Sequence, residues 1–452
     1  MFANANAVIL ALFLAACMAG CTLRAPSYRA HVDQEIQQRT GHGLSPETIE
    51  PGSQTPAGVS LSDGLTEEEA VGIALWNNPA FQADMAQLGL SRAELVQSGL
   101  LRNPVMSLLF PVGPKQLEMS ANWAIEAIWQ RPRRIAAARL DLERTAESLI
   151  SNGLDLVRDA RIAYWEAVVA ERRALLAEES SALRGRIAEL VEFRLRAGDV
   201  SELESFAART ERDVAQEQAG RSKNESAIAK ERLRSILGLG PKASGVASGL
   251  VSGFEITPVE REVPALPEVS AVVARALASR PDLRAIELGL EAARERVGLD
   301  RWSYLNATVV VDANAKGTEG FEAGPGLQGS IPIFDRNQGL IQRADAAVEK
   351  ATKDQLALKH RIELEVTESY ARVIQARESL DSWRRTILPS LTESVGLTEQ
   401  TYNAGEVSYL FYLESTRQRL AARGSELDAQ LSLRRALVSL DRSVGANIDI
   451  QP

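Results

Sequence analysis

Residues 196–201 read Arg-Ala-Gly-Asp-Val-Ser, and residues 403–408 read Asn-Ala-Gly-Glu-Val-Ser. The two hexapeptides lie close to half a chain apart in a sequence of 452 residues. Each interrupts a run that otherwise has the composition of unbroken helix, rich in Ala, Leu, Glu and Arg. Gly198 and Gly405 permit the left-handed backbone that turns one helix into the next. Ser201 is placed to cap the following helix and forms a capping-box pattern with Glu204. Ser408 is placed to cap as well, with Phe411 where the box wants an acid. The repeated hexapeptide therefore reads first as architecture, two tight turns in equivalent places.

The flanks repeat too. Upstream of the turns, residues 133–196 and 337–403 predict two long helices whose only proline is Pro389. At 1.5 Å per residue, about 65 residues make a rod of roughly 95–100 Å, too long for a globular core, so these helices must pack along one another. Downstream, residues 201–237 and 408–444 predict further helices. Earlier in each half a shorter helical stretch breaks at a proline, at Asn78-Pro79 and at Arg280-Pro281. The pattern predicts two copies of one supersecondary unit, 63–240 and 266–446. A Gly/Ser/Pro-rich connection, 241–265, joins them, and a tail, 447–452, follows.

Each copy also carries a predicted β-hairpin, at 103–130 and at 304–334. Leu117, Met119, Ala121, Trp123, Ile125, Ala127 and Trp129 are apolar at odd positions, with Glu118, Ser120, Asn122 and Glu126 between them. In the second copy Ala307, Val309, Val311 and Ala313 alternate with Thr308, Asp312 and Asn314. Phe321, Ala323, Leu327, Ile331 and Ile333 alternate in the same way with Glu322, Gln328 and Ser330. Such alternation is the signature of membrane-barrel strands with one lipid face and one wet face; a half-buried sheet in a soluble domain is the other reading. Four strands cannot close on themselves, and the smallest natural barrels have about eight. Strands that span a membrane therefore require several copies of the chain, and three copies give twelve.

Composition narrows the function classes. A net charge of −9, with no basic run interleaved with aromatics, argues against a nucleic-acid partner. Both cysteines, Cys17 and Cys21, fall at the very start, and the three histidines are scattered, so no disulfide or cysteine metal site is expected in the body. Without a metal cluster, nucleophile elbow or phosphate-cradling loop, neither an enzyme nor a cofactor is expected. Residues 1–20 read as a signal peptide, its apolar run Ala7–Gly20 too short to cross a bilayer. Met18-Ala19-Gly20-Cys21 resembles the lipobox of bacterial lipoproteins, in which the cysteine becomes the lipidated first residue; an unlipidated signal peptide is the alternative. Residues 21–62, rich in Pro, Ser, Gly and Thr, read as an extended segment.

Pro332-Ile333-Phe334-Asp335-Arg336-Asn337-Gln338-Gly339 resembles the junction between the last strand and the long helix in the TolC family of outer-membrane efflux proteins. Ile128 to Arg134 occupy the matching junction in the first half, and Leu65-Thr66, Glu69-Ala70, Ala74-Leu75 and Asn78-Pro79 resemble the family's opening helix. The wording is most similar to the cation-efflux branch of Czc and Cus type. The resemblance implies a mainly α fold with a membrane β-barrel portion. This would be a homotrimeric, twelve-stranded outer-membrane β-barrel continuous with a long periplasmic α-helical barrel and built from two internal repeats. It implies a passive exit duct of a tripartite efflux system, in contact with outer-membrane lipid, with a periplasmic adaptor (membrane-fusion) protein and an inner-membrane pump as partners.

Carried over residue by residue, the resemblance places Gly198, Asp199, Val200, Gly405, Glu406 and Val407 at the periplasmic tip, where the adaptor docks. Glu204, Tyr402 and Glu414 match gate or lumen positions. Phe411 stands where other members carry a second acidic ring, and Val407 where some carry a gate arginine. A ring of three Glu414 carboxylates would favour cations and raise one another's pKa, in an aperture held more by hydrophobic contact than by salt bridges. Two other readings stay open, a periplasmic coiled-coil tether lipoprotein without a pore and a type I protein-secretion duct.

Overall fold

Prolines and glycines punctuate the backbone much as they punctuate the sequence. The computed structural model describes residues 26–44, 59, 64–112, 117–239, 256–259, 265–315 and 320–446. In chain order the elements of the first half are α1 (Arg29–Thr40), α2 (Glu67–Asn77), α3 (Pro79–Gly99), β1 (Val105–Leu109), β2 (Leu117–Ala124), α4 (Glu126–Ala197) and α5 (Glu202–Ile236). The second half follows with α6 (Val269–Ser279), α7 (Pro281–Asp300), β3 (Ala307–Ala315), β4 (Phe321–Gly329), α8 (Gln338–Ser382), a π-helical turn (Trp383–Ile387), α9 (Leu388–Asn403) and α10 (Tyr409–Val444). Cys21 and residues 1–20 lie outside the described residues, as do the tail 447–452 and most of the connection 241–265. Among the described residues no helix is long and apolar enough to cross a membrane.

The chain forms two units. One comprises Met1–Val32, Asp84–Leu149 and Pro281–Lys359 and contains the sheet. Its four strands run antiparallel in the order β1-β2-β3-β4. The register places Leu117 opposite Ala315, Met119 opposite Ala313, Ala121 opposite Val311 and Trp123 opposite Val309. Val309, Val311, Ala313 and Ala315 in turn face Leu327, Pro325, Ala323 and Phe321, and Met106 and Leu108 of β1 face Ala121 and Met119. Because successive side chains alternate faces, all these apolar residues share one face. Glu118, Ser120, Asn122, Thr308, Asp312, Asn314, Glu322 and Gln328 share the other. Met106, Val311, Phe321 and Leu327 are exposed on the apolar face, and β1 and β4 leave both sheet edges open.

Two boundaries differ from the sequence expectation. The alternation suggested a strand through Trp129, but β2 ends at Ala124 and α4 starts at Glu126, so Pro132 lies inside the helix rather than before it. Ile125 still donates its N–H to the Ala307 carbonyl at 2.8 Å, while Ile128 already bonds back to Ile125 at 3.0 Å. The apolar residues at 125, 127 and 129 satisfy both a period of two and the first turn of a helix. Strand β4 likewise stops at Gly329, leaving Ile331 and Ile333 beyond it, where Pro332 has no N–H for a ladder.

The second unit comprises Asp33–Ala83, Ile150–Arg280 and His360–Pro452. Within it α4 lies between α5 and α10. Lys230 of α5 reaches Glu171 of α4 at 2.8 Å, and Arg442 and Arg423 of α10 reach Asp155 and Glu179 of α4 at 2.8 and 3.4 Å. Arg384 of the π-helical turn pairs with Glu426 of α10 at 2.8 Å. Solvent-accessible pairs of this kind contribute about 1 kcal/mol or less each, the better-covered Arg442–Asp155 pair somewhat more, so they set register more than they supply stability. That comes from the core, where Leu65, Ile73, Tyr164, Trp165, Leu233 and Leu237 are all but fully buried. Tyr164 meets Trp165 edge-on at 5.7 Å and donates its hydroxyl to the Leu65 carbonyl at 3.2 Å, while Arg434 lies over the Trp165 ring at 4.4 Å. Burial pushes the Tyr164 phenol well above its ordinary range.

The proline breaks are built differently in the two halves. Asn78 precedes Pro79, accepts the Phe81 N–H on its side-chain oxygen at 3.0 Å and donates to the Ile236 carbonyl at 2.9 Å. Arg280 precedes Pro281, is buried, and bonds Glu365 at 2.7 Å and the Ser443 carbonyl at 3.2 Å. The remaining proline of the long helices, Pro389, follows the π-helical turn, where Leu388 bonds back to the Trp383 carbonyl. A π turn next to a residue that lacks its own donor lets the helix continue. Residues 21–62 are not extended throughout. They contain α1, whose Val32 and Ile36, one turn apart, are completely buried.

Candidate functional site

The site is built on the two hexapeptide turns, both in the second unit. Gly198 has φ +82° and Gly405 +80°. Gly198 bonds back to the Leu195 carbonyl at 3.0 Å and Asp199 to Arg194 at 2.9 Å; Gly405 bonds back to Tyr402 at 2.9 Å and Glu406 to Thr401 at 3.0 Å. Each turn is thus a Schellman closure, a left-handed residue with one bond reaching back five residues and one reaching back three. Neither glycine has anything within 4 Å of a would-be Cβ, so both are needed for backbone conformation and not for space. Val200 and Val407 are half-buried while Asp199 and Glu406 are exposed. An apolar residue therefore faces the helices and an acid faces out in each turn.

Ser201 and Ser408 then cap α5 and α10. Their side chains accept the N–H of Glu204 at 3.3 Å and of Phe411 at 3.4 Å. The reciprocal carboxylate bond that completes a capping box occurs at Thr66 instead. There Glu69 Oε2 accepts from the Thr66 N–H at 2.9 Å, and Thr66 Oγ1 accepts from the Glu69 N–H at 3.3 Å. The Ser/Thr-x-x-Glu signal was present in the sequence at 66–69.

The gate candidates separate into two places. Tyr402 stacks on Tyr412, with ring centroids 6.0 Å apart and planes 14° apart, and so clasps α9 to α10 across the second turn. Phe411 is exposed, and Glu414, one turn further on α10, is exposed as well. Glu204 is exposed at the first turn of α5. Among the described residues no hydrogen bond or ion pair joins Glu204 to Tyr402, Phe411 or Glu414.

Glu414 differs from the bare carboxylate expected from the sequence. Arg417 donates Nε to Glu414 Oε2 at 2.8 Å and Nη2 to Oε1, and Gln418 adds a bond at 3.3 Å. Hydrogen bonds from Arg417 are the main reason the carboxyl sits below its ordinary range; loss of solvent opposes them, and the bond from Gln418 and the fields of Arg417 and Arg184 add to the lowering. Within one chain the shift is therefore downward, opposite to the upward shift expected from like charges. Arg184 of α4 also pairs with Glu211 of α5 at 3.9 Å, and Glu211 supports the charge of Arg417. Glu211, Arg184, Glu414 and Arg417 form an alternating quartet on three helices. Reading the sequence picked out only Glu414 of the four. The spacing of Glu414 and Arg417, three apart on a predicted helix, was the available signal.

Around these charges lie exposed apolar side chains, Leu203 and Phe206 behind the first turn and Leu410 and Phe411 behind the second. Polar turns with large uncovered apolar residues make a surface suited to contact with another helical surface.

Residues 272–446 match the family model described as outer membrane efflux protein. Over 388 residues the chain is 25% identical to the cobalt-zinc-cadmium resistance protein CzcC of Cupriavidus metallidurans, covering 84% of this chain and 90% of that protein. In fold it is similar to CusC, with a TM-score of 0.67 at 19% identity over 89% of this chain and 99% of that one. It is also similar to the outer membrane channel CmeC of Campylobacter jejuni, with a TM-score of 0.72 at 15% identity over 89% of this chain and 95% of that one.

Proposed function

From the match of residues 272–446 to the outer membrane efflux protein model, we propose that the chain belongs to that family and is the outer-membrane exit duct of a tripartite efflux system. The observation that carries this reading is the sheet. One continuous face is apolar, the other carries carboxylates, amides and hydroxyls on β2, β3 and β4 with Val310 among them and Val105 and Leu109 at its β1 edge, and both edges are unpaired. In lipid an open edge leaves backbone donors and acceptors unsatisfied, so the strands must pair with other copies. Three chains make a twelve-stranded barrel with the apolar faces toward lipid. Three sets of the paired long helices, built as two repeats per chain, make the wall of the periplasmic conduit.

In this assembly Gly198, Asp199, Val200, Gly405, Glu406 and Val407 lie at the periplasmic mouth, where the adaptor of an inner-membrane pump docks. Tyr402, Phe411, Glu414 and Glu204 line its aperture, and Cys21 carries a lipid anchor. The relative named for cobalt, zinc and cadmium resistance favours metal cations as cargo over an exported protein. The tether reading has no use for an exposed apolar sheet face ending in Trp123 and Phe321.

Fractionation tests the reading. A duct is found in the outer membrane as a trimer that survives mild detergent on a gel and dissociates on heating. A soluble, elongated monomer would replace the duct by the tether.

A further inference from the structure

Four arginines gather where the sheet meets the helices of its unit, Arg102 ahead of β1 and Arg131, Arg133 and Arg134 early in α4. Arg133 is accounted for locally. It lies 3.8 Å from Glu295 and folds over Gly298, where any Cβ would clash with the guanidinium. Of the other three, Arg131 and Arg134 are fixed by backbone carbonyls. Arg131 Nε donates to the Gly99 carbonyl at 2.7 Å, and Arg134 Nη2 donates to Leu100 and Ala127 at 3.4 and 3.3 Å. The Arg102 carbonyl in turn accepts the Trp123 indole N–H at 3.0 Å.

Among the described residues only one carboxylate serves Arg102, Arg131 and Arg134. Glu126 stands 3.9 Å from Arg102, and no ion pair reaches Arg131 or Arg134. Arg134 Nε is buried without a hydrogen-bond partner. Burial first, then the repulsion of Arg102 and Arg131, holds the Arg134 guanidinium below its usual range. Three like charges, two of them held by neutral carbonyls and one facing a single carboxylate, keep a surplus of positive charge and of unused donors, the condition in which an arginine fork takes a phosphate bidentately. Beside them Leu100, Leu101, Ile128 and Trp129 are exposed. The cluster also sits at the helix-side rim of the apolar sheet face, with Trp123 at that end of β2. Tryptophan and arginine at the end of an apolar band mark a headgroup boundary.

We propose that Arg102, Arg131 and Arg134 bind the phosphate headgroup of an anionic phospholipid at the helix-side rim of the sheet. The proposal rests on the outer-membrane reading, which makes this rim the periplasmic one. It is tested on the full chain in detergent by native mass spectrometry, counting retained phosphatidylglycerol against phosphatidylcholine of the same acyl chains. Phosphatidylglycerol should be retained preferentially, and Arg102→Gln, whose guanidinium holds no backbone carbonyl, should weaken that retention about fivefold. Arg131→Gln should do the same; its thermal midpoint shows whether the loss of the Gly99 bond has unsettled the fold. Equal retention of the two lipids, or retention unchanged in Arg102→Gln, overturns the site. A thermal shift with inorganic phosphate alone as large as with phosphatidylglycerol makes it a free-phosphate site and also overturns the proposal. Conductance of the same preparation keeps the two claims apart. An open channel without lipid preference sinks only this site, and a lipid-selective protein without a channel sinks only the duct.

Discussion

Glu414 and Arg417 are the most informative pair in the molecule, because the carboxylate expected from the sequence to stand bare is held in a local ion pair instead. A carboxyl held low in the folded chain contributes stability above its unfolded pKa and loses that contribution as pH falls through its folded value. Arg417→Gln removes the principal cause of the low value. The acid transition of Glu414, followed by the pH dependence of cation selectivity in single channels, should therefore move to higher pH. An unmoved transition would separate Glu414 from Arg417. Glu67 has the opposite sign. Burial raises its carboxyl against the opposing pull of Arg161, so its contribution is present at low pH and lost as pH rises through the folded value. Glu67→Gln should raise the thermal midpoint at pH 8 and lose that advantage in acid, since Arg161 keeps Glu68 and Asp441, each at 3.5 Å. Arg161→Met takes the buried cation away from Glu67, Glu68 and Asp441, of which Glu68 keeps His42 at 2.8 Å, and should cost up to about 3 kcal/mol in a denaturation measurement. Glycine and serine roles at the turns were legible because a left-handed turn and a cap admit few residue types. Arg184 and Glu211 were not, because a partner on another helix depends on a register that no local pattern states.

Gly198, Gly405 and Gly238 are three of the seven glycines with positive φ among the described residues, and the helices around them set different demands. At Gly198 and Gly405 a methyl group meets only open space, so alanine should cost only the left-handed penalty of about 1–2 kcal/mol. At Gly238 the methyl would press on the Asn77 carbonyl and the Asn78 nitrogen beside the break into α3. Thermal melts of the three alanine variants should rank Gly238→Ala as distinctly the worst, and equal losses would contradict the packing described. Ser201→Ala and Ser408→Ala should each cost about 1 kcal/mol, the usual value of a helix cap. Helix and strand limits could be read from the sequence wherever glycine or proline marks them, as at Asn78-Pro79 and at the turns. They were misread at 125–129, where a period of two and a helical turn demand the same apolar residues, and at Pro132, which the long helix absorbs. Helix α1 was hidden by the Pro- and Ser-rich sequence on either side of it.

The apolar and polar faces of the sheet join these details to the assembly. The alternation is visible in the sequence, but the register that aligns Trp123 with Val309 and Leu327 across three strands comes only from pairing. In the proposed duct, trimer closure is the way the open edges avoid the cost of standing unpaired in lipid. Single-channel recording in a planar bilayer tests that conclusion most directly, using the wild-type chain and the double variant Phe411→Ser with Glu414→Gln. The duct predicts discrete, uniform current steps that are larger in the double variant. A folded, membrane-inserted protein that passes no current in either form would contradict it.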